Sequence, residues 1–205
     1  MKNGTHVYLT YIFCITICVL PSCNKESGPT NVNGTVRDVT TNVGVSNAEV
    51  GLFETDGESA FGLGGVLMEE KYSDASGEFI FSFDAREGYQ YFVQAIKDQY
   101  FNDQSNNVMF IDGAGTSSNL YVFLQPEGYL EIHYQNIPPS TPYDNFGVNG
   151  YLTDGFDGDE IDTTVLYTVY GNSQNIIYWG LYGEVANIDT IYCVAFDTTY
   201  YELLY

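Results

Sequence analysis

The sequence predicts an all-β protein of two β-sandwich domains placed after a cleaved N-terminal signal segment. Three observations carry that expectation. Beyond residue 30 no apolar stretch keeps a 3.6-residue period for three turns, because Gly, Asn, Asp or Thr interrupts every one. Short runs of β-branched and aromatic residues recur instead, bounded by turn residues, which is the pattern of a sandwich or barrel. The segment Gln125-Pro126-Glu127-Gly128 interrupts that series and is the best boundary, giving expected domains at 31–126 and 127–205.

The elements follow in chain order. Lys2 precedes an uncharged apolar run from Val7 to Leu20. Such a run suits a signal-peptide core and falls short of the ~20 residues that span a bilayer as a helix. It ends at Leu20-Pro21-Ser22-Cys23. This ending resembles the lipobox of bacterial lipoproteins, which implies cleavage after Ser22, a signal peptide at 1–22 and acylation of Cys23. An ordinary secretory leader is the alternative. Asn24-Lys25-Glu26-Ser27-Gly28-Pro29-Thr30 is polar and is expected to be a flexible tether, so that 23–30 forms a lipidated linker. Its Cys-Asn-Lys-Glu start resembles the signal that sends some lipoproteins to the outer face of the outer membrane. The expected location is therefore the outer membrane, at the cell surface, with a periplasm-facing orientation as the alternative.

In the first domain, Glu78 to Asp84 alternates so that Phe79, Phe81 and Phe83 share one face. The preceding Ser73-Asp74-Ala75-Ser76-Gly77 reads as a turn. Gln90 to Lys97 and Asn119 to Leu124 read as further strands, and Thr55 to Gly65 as a Gly-rich loop. An ordered set of segments adds to this: Asn33-Gly34-Thr35-Val36-Arg37-Asp38, Ser46-Asn47-Ala48-Glu49-Val50-Gly51-Leu52, Ser73 to Phe81, and Gly88 to Ala95. In order and spacing they resemble the carboxypeptidase regulatory-like (transthyretin-like) family. That resemblance implies a Greek-key sandwich over about residues 31–125 and a non-catalytic role.

The second domain offers strands at Tyr129–Gln135, Asp162–Tyr170, Ile176–Tyr182, Ile191–Phe196 and Tyr200–Tyr205. Ile137 to Pro142 is a rigid turn holding three prolines. The apolar Leu203-Leu204-Tyr205 is expected to pair within a sheet, since an unpaired apolar edge invites aggregation.

Composition narrows the function. The 205 residues include 27 Asp plus Glu against 6 Lys plus Arg, for a formal charge of −21. Nucleic acid is excluded as a partner, because phosphate binding needs clustered cations. Purely electrostatic adsorption to an anionic membrane is disfavoured for the same reason, leaving lipid on Cys23 as the membrane link. His6 and two cysteines leave with the leader, so His133 and Cys193 are the remaining His and thiol besides Cys23. His133 is expected on the solvent side of its strand and Cys193 as a buried, inert thiol. No Gly-x-Ser-x-Gly, His-Glu-x-x-His or phosphate-binding pattern occurs, and Gly62-Leu63-Gly64-Gly65 reads as a plain loop. No cofactor is expected, with calcium as the open alternative.

Three local patterns remain. Asp154, Asp157, Asp159 and Asp162 crowd a Gly-containing segment where oxygens could gather round calcium, although the spacing does not fit an EF-hand. Tyr178, Trp179 and Tyr182 offer aromatic rings for a sugar platform, against the simpler reading that they pack in strands. Asp162-Thr163-Thr164, Asp189-Thr190-Ile191 and Asp197-Thr198-Thr199 each resemble a bacterial O-glycosylation site. The leading expectation is a non-catalytic envelope lipoprotein acting as a structural or interaction module with a protein or glycan partner. A carbohydrate-binding lipoprotein is the alternative, and a carboxylate-based glycoside hydrolase a further one.

Overall fold

Short runs with period-two alternation of apolar and polar residues recur among the described residues from 28 onward, and strands form there. The computed structural model describes residues 27–56, 64–102, 107–113, 115–150, 152–182 and 186–205. These form β1 (Gly28–Asp38), β2 (Glu49–Thr55), β3 (Val66–Tyr72), β4 (Glu78–Ala85), β5 (Gln90–Ile96), β6 (Tyr100–Phe101) and β7 (Val108–Phe110). They continue with β8 (Ser117–Gln135), β9 (Asn145–Gly150), β10 (Asp154–Asp157), β11 (Asp162–Tyr170), β12 (Ser173–Leu181), β13 (Asn187–Cys193) and β14 (Thr198–Leu204). No described residue is helical. The protein is all-β, as expected.

Two apolar cores organise the strands. In the first, Val32 and Val36 of β1, Val50 and Leu52 of β2, Phe79 and Phe81 of β4, Val93 of β5, and Val122 and Leu124 of β8 are buried together. The sheet β4-β1-β8 supplies one face of that core and the sheet β3-β2-β5-β7 the other. In the second, Leu130, Ile132 and Tyr134 of β8 pack with Phe146, Val148, Val169, Ile177, Ile191, Cys193 and Leu203. Here β11, β8 and β14 form one layer and β10-β9-β12-β13 the other. Each core is a sandwich of alternating inward side chains.

The Phe79 face illustrates how sequence sets register. Gly34 of β1 lies opposite Phe79 of β4 in the antiparallel ladder. A Cβ at Gly34 would lie 2.0 Å from the Phe79 ring, so glycine is what lets the ring cross β1 and reach the core. The expected turn before β4 also forms. Gly77 has φ +83°, and the Asp74 carboxylate accepts from Ser76 N, Ser76 Oγ and Glu78 N at 2.8, 2.7 and 2.8 Å.

At Gln125-Pro126-Glu127-Gly128 the chain passes from the first core to the second without leaving the strand: β8 runs unbroken from Ser117 to Gln135 and serves both cores. Pro126 is tolerated because it lies where the ladder partners change. The β1 ladder ends at Leu124 and the β11 ladder begins at Glu127, leaving only two-residue β6 beside Pro126. The last three residues of the segment expected to be a tether, Gly28 to Thr30, lie in a strand. β1 starts at Gly28, and Thr30 is buried with its hydroxyl donating to Gly28 O and accepting from Gly115 N. Those backbone partners, one local and one far along the chain, replace the solvent that the polarity of Thr30 suggests.

The second half departs from expectation in detail. β9 and β10 were not foreseen, because Asn-Phe-Gly-Val-Asn-Gly reads as turn residues although Phe146 and Val148 alternate inward. β13 begins at Asn187, four residues ahead of the expected start. The closing apolar strand behaves as expected: β14 pairs in parallel with β8 from Thr198–Tyr129 to Leu204–Gln135.

Around residues 125–129 the two halves are joined by backbone. Glu127 N donates to Gln99 O (2.9 Å), Gly171 N to Pro126 O (2.9 Å), Phe196 N to Glu127 O (2.8 Å) and Tyr129 N to Asp197 O (3.0 Å). Tyr100 packs on Phe196 and Phe101 on Tyr170 with centroids 5.3 and 5.0 Å apart. Asn172 Nδ2 reaches Thr40 Oγ1 across the joint (3.2 Å). Gly171 makes this approach possible, since a Cβ there would lie 2.6 Å from Glu127 O and 2.7 Å from Ala195 Cα. Both neighbours are backbone and cannot rotate away. Gly171→Ala is therefore expected to lower stability by about 1–3 kcal/mol, read as a lower urea midpoint; an unchanged midpoint would show that the joint is loosely packed.

Candidate functional site

The expected site residues are placed by neighbouring strands, and the fold disperses most of them. Asp154 opens β10, and its Oδ2 accepts from Tyr167 Oη at 2.8 Å. Tyr167 Oη lies 2.9 Å from Tyr134 Oη, so a chain of hydroxyls links the carboxylate to the buried Tyr134. Burial pushes the Tyr134 hydroxyl up to about 12, and burial and its two partners raise Tyr167 further. Both therefore remain protonated donors at neutral pH.

The other carboxylates of this segment go elsewhere. Asp157, at the end of β10, accepts from Asn145 Nδ2. Asp162, at the start of β11, lies 2.7 Å from His133 Nε2. Asp159 lies between the two strands, in a bend. The acidic segment is thus split between two strands in different layers. Among the described residues no group of three or more His, Cys, Asp or Glu side chains gathers as a metal-binding cluster.

The aromatic trio is likewise divided by strand alternation. Tyr178 and Tyr182 point outward from β12 and its end, 41% and 89% exposed, whereas Trp179 faces the other way. Trp179 packs against Phe146, and its Nε1 donates to Asp189 Oδ2. A three-ring platform does not form. A shallow groove of about 250 Å³ does lie here, lined by Asn145, Gly147, Asn149, Trp179, Gly180 and Tyr182. Register explains its shape. Gly180 pairs with Gly147, and Gly147 with Gly155, so three side-chain-free positions align across β12, β9 and β10. Asn149 stands beside Tyr178 on one side of that lane, and on the other Tyr182 N donates to Asn145 O at 2.7 Å. Sequence reading missed Asn145 and Asn149, because only the sheet register brings them beside the tyrosines.

His133 is less open than its strand position suggests. It does point away from Leu130, Ile132 and Tyr134, as alternation requires, yet its side chain is only 21% exposed. β11 supplies Asp162 on one flank and β14 supplies Glu202 at 3.7 Å on the other. The Asp162 hydrogen bond, with the charges of Asp162 and Glu202, holds its pKa above the ordinary value. Cys193 is fully buried and unpaired, with its thiol raised by desolvation, and so matches the expected inert thiol. In the first core Glu54 pairs with Arg86 and accepts from Tyr91 Oη at 2.9 Å, and Arg86 keeps its carboxyl below the usual range. That group ties β2 and β5 to the turn after β4.

Cys23 and residues 62 and 63 lie outside the described residues. No helix among the described residues is long and apolar enough to cross a membrane. No protein-family model matches the chain, and no curated protein matches it. Solved structures are similar only distantly. A streptococcal ancillary pilin is 12% identical at a TM-score of 0.41, covering 86% of this chain and 62% of its own. BcpA, the major pilin subunit of Bacillus cereus, is 14% identical at 0.39, covering 82% and 68%. The TIE protein of Bacillus anthracis is 13% identical at 0.39, covering 86% and 34%. The chain thus spans about a third of the TIE protein and under two thirds of the ancillary pilin. Likeness at this level assigns no role.

The His133 pair gives a pH dependence of definite sign. A histidine whose folded pKa is raised contributes stability fully below its unfolded value of about 6.5. That contribution is lost as pH rises through the folded pKa. Melting curves between pH 5 and pH 8 are expected to show a decline that His133→Gln removes. An equal decline in the variant would assign the effect to other groups.

Proposed function

We propose that this is a non-catalytic surface module, acylated at Cys23 and displayed from the outer membrane, whose two sandwich units act as a structural or adhesive element. One observation carries the non-catalytic reading. The groups with chemical potential are committed to separate structural pairs: Asp154 to Tyr167, Asp162 to His133, Glu54 to Arg86, and Cys193 to the second core. The anchor reading rests on the leader and on Leu20-Pro21-Ser22-Cys23, with a polar segment passing into β1. For the first unit, the crossing of Phe79 over Gly34 and the Asp74–Gly77 turn support a carboxypeptidase regulatory-like, transthyretin-like sandwich.

A second reading is favoured by the groove on β12 and β9. There Tyr182 offers a ring face and Asn145 and Asn149 offer amides, with Tyr178 beside Asn149 at the margin, the combination that engages C–H faces and hydroxyls of a neutral glycan. Asp154, Asp157 and Asp162 are held by separate partners and offer calcium no assembled ligand set. Added calcium or EDTA is therefore expected to leave the melting curve in place, and a rise with calcium would show that the ion binds.

Cys23→Ala is expected to move the protein from the membrane fraction to the soluble fraction with its β-sheet circular dichroism intact. Retention in the membrane fraction would end the anchor reading. For the glycan reading, a glycan array should show binding that Tyr182→Ala abolishes; a flat array would leave the structural role alone.

A further inference from the structure

The geometry points to a mechanical function: we infer that the protein is a load-bearing connector in which tension between the segment ahead of β1 and the second unit is carried in shear by the parallel β1–β8 ladder. The load path follows from connectivity. The chain passes from the first core to the second once, along β8, so any grip on the second unit pulls β8 toward its C-terminal end. A pull from ahead of Gly28 draws β1 toward its N-terminal end. β1 and β8 are neighbours and parallel, in register from Asn31–Ser117 to Asp38–Leu124. The two pulls therefore oppose each other along the ladder axis. The hydrogen bonds of all eight pairs are then stretched together rather than in turn.

Side chains lock the same ladder. Val32 and Val36 of β1 and Val122 and Leu124 of β8 are fully buried in one core, so sliding must strip them from their contacts. A slip of one residue would turn every β1 side chain to the wrong face, so no small sliding step offers relief. On the outer side, the Arg37 guanidinium lies 4.4 Å from the Tyr121 ring centroid and bridges the two strands. If the grip is on the far end of β14, the second unit repeats the arrangement. β14 is parallel to β8 over Thr198–Tyr129 to Leu204–Gln135, and it too is loaded in shear. The backbone bonds around residues 125–129 leave no slack segment between the two loaded ladders.

The same fold holds a contrasting direction. Among the described residues β4 pairs only with β1, and it runs antiparallel to it, with Gly28 opposite Ala85. Pulling on the chain just before Gly28 and just after Ala85 separates two ends that lie side by side, so that ladder opens one pair at a time.

The inference rests on the proposed attachment ahead of β1 for the source of the load. Cys23→Ala fractionation tests that attachment, whereas the ladder is tested on purified protein, so either can fail alone. In single-molecule pulling of the full chain, handles are placed at Ser27 and Tyr205 in one preparation and at Ser27 and Glu87 in another. Both preparations are first shown to melt at the same temperature. At equal pulling speed the first geometry is expected to rupture at a several-fold higher force. Equal forces, or a higher force for the Ser27–Glu87 pair, would overturn the inference.

Discussion

One strand belonging to two cores is the constraint on which the rest of this structure depends. β8 supplies Val122 and Leu124 to the first core and Leu130, Ile132 and Tyr134 to the second. Its neighbours must therefore change along its length, from β1 to β11 and β14, and the change needs a place where a missing ladder bond is harmless. Pro126 occupies that place. The flanking turns then have to approach β8 closely, which Gly171 permits. With the strand continuous and the turns bonded to it, the two sandwiches meet without a linker. Relative movement of the halves would break backbone hydrogen bonds rather than bend a free segment.

An excess of acid over base this large leaves few salt bridges to build with. The fold instead satisfies carboxylates with neutral donors. Asp38 accepts from Thr40 N, Thr40 Oγ1 and Thr41 N, and Asp144 accepts from Thr141 and Asn136. Asp74 does the same at its turn. The hydrogen bonds to Asp74 and Asp144 favour the ionised form and hold both below the usual carboxylate range. Negative charge is thereby fixed at turns, where it organises the backbone, while the strands bury their apolar faces. The same economy explains why Asp154, Asp157 and Asp162 do not converge: they find a hydroxyl, an amide and an imidazole on three different neighbouring strands.

Much of this fold was legible in the sequence, and the remainder was hidden for identifiable reasons. Clear alternation at Glu78–Asp84 and Asp162–Tyr170 marks β4 and β11 closely, because each buries one face only. Pro126 and Gly128 mislead, since in most strands they mean an end, and only the switch of ladder partners excuses them here. β9 is masked by its Asn and Gly residues, which open the outer face rather than turn the chain. One shared surface for the aromatic trio is ruled out by a period of two, which assigns Trp179 to the inner side and leaves Tyr178 and Tyr182 outside. The groove partners Asn145 and Asn149, like the Asp162–His133–Glu202 contact, depend on cross-strand register, and a single sequence carries no local signal for that.

The most direct test of a continuous, shared β8 is amide hydrogen exchange along residues 120–135. The amides of Glu127 and Tyr129, bonded to Gln99 O and Asp197 O, are predicted to exchange as slowly as those of Val122 and Ile132 at the centres of the two cores. Fast exchange confined to Glu127, Gly128 and Tyr129, with slow exchange on either side, would mean a flexible linker between independent units and would contradict the account.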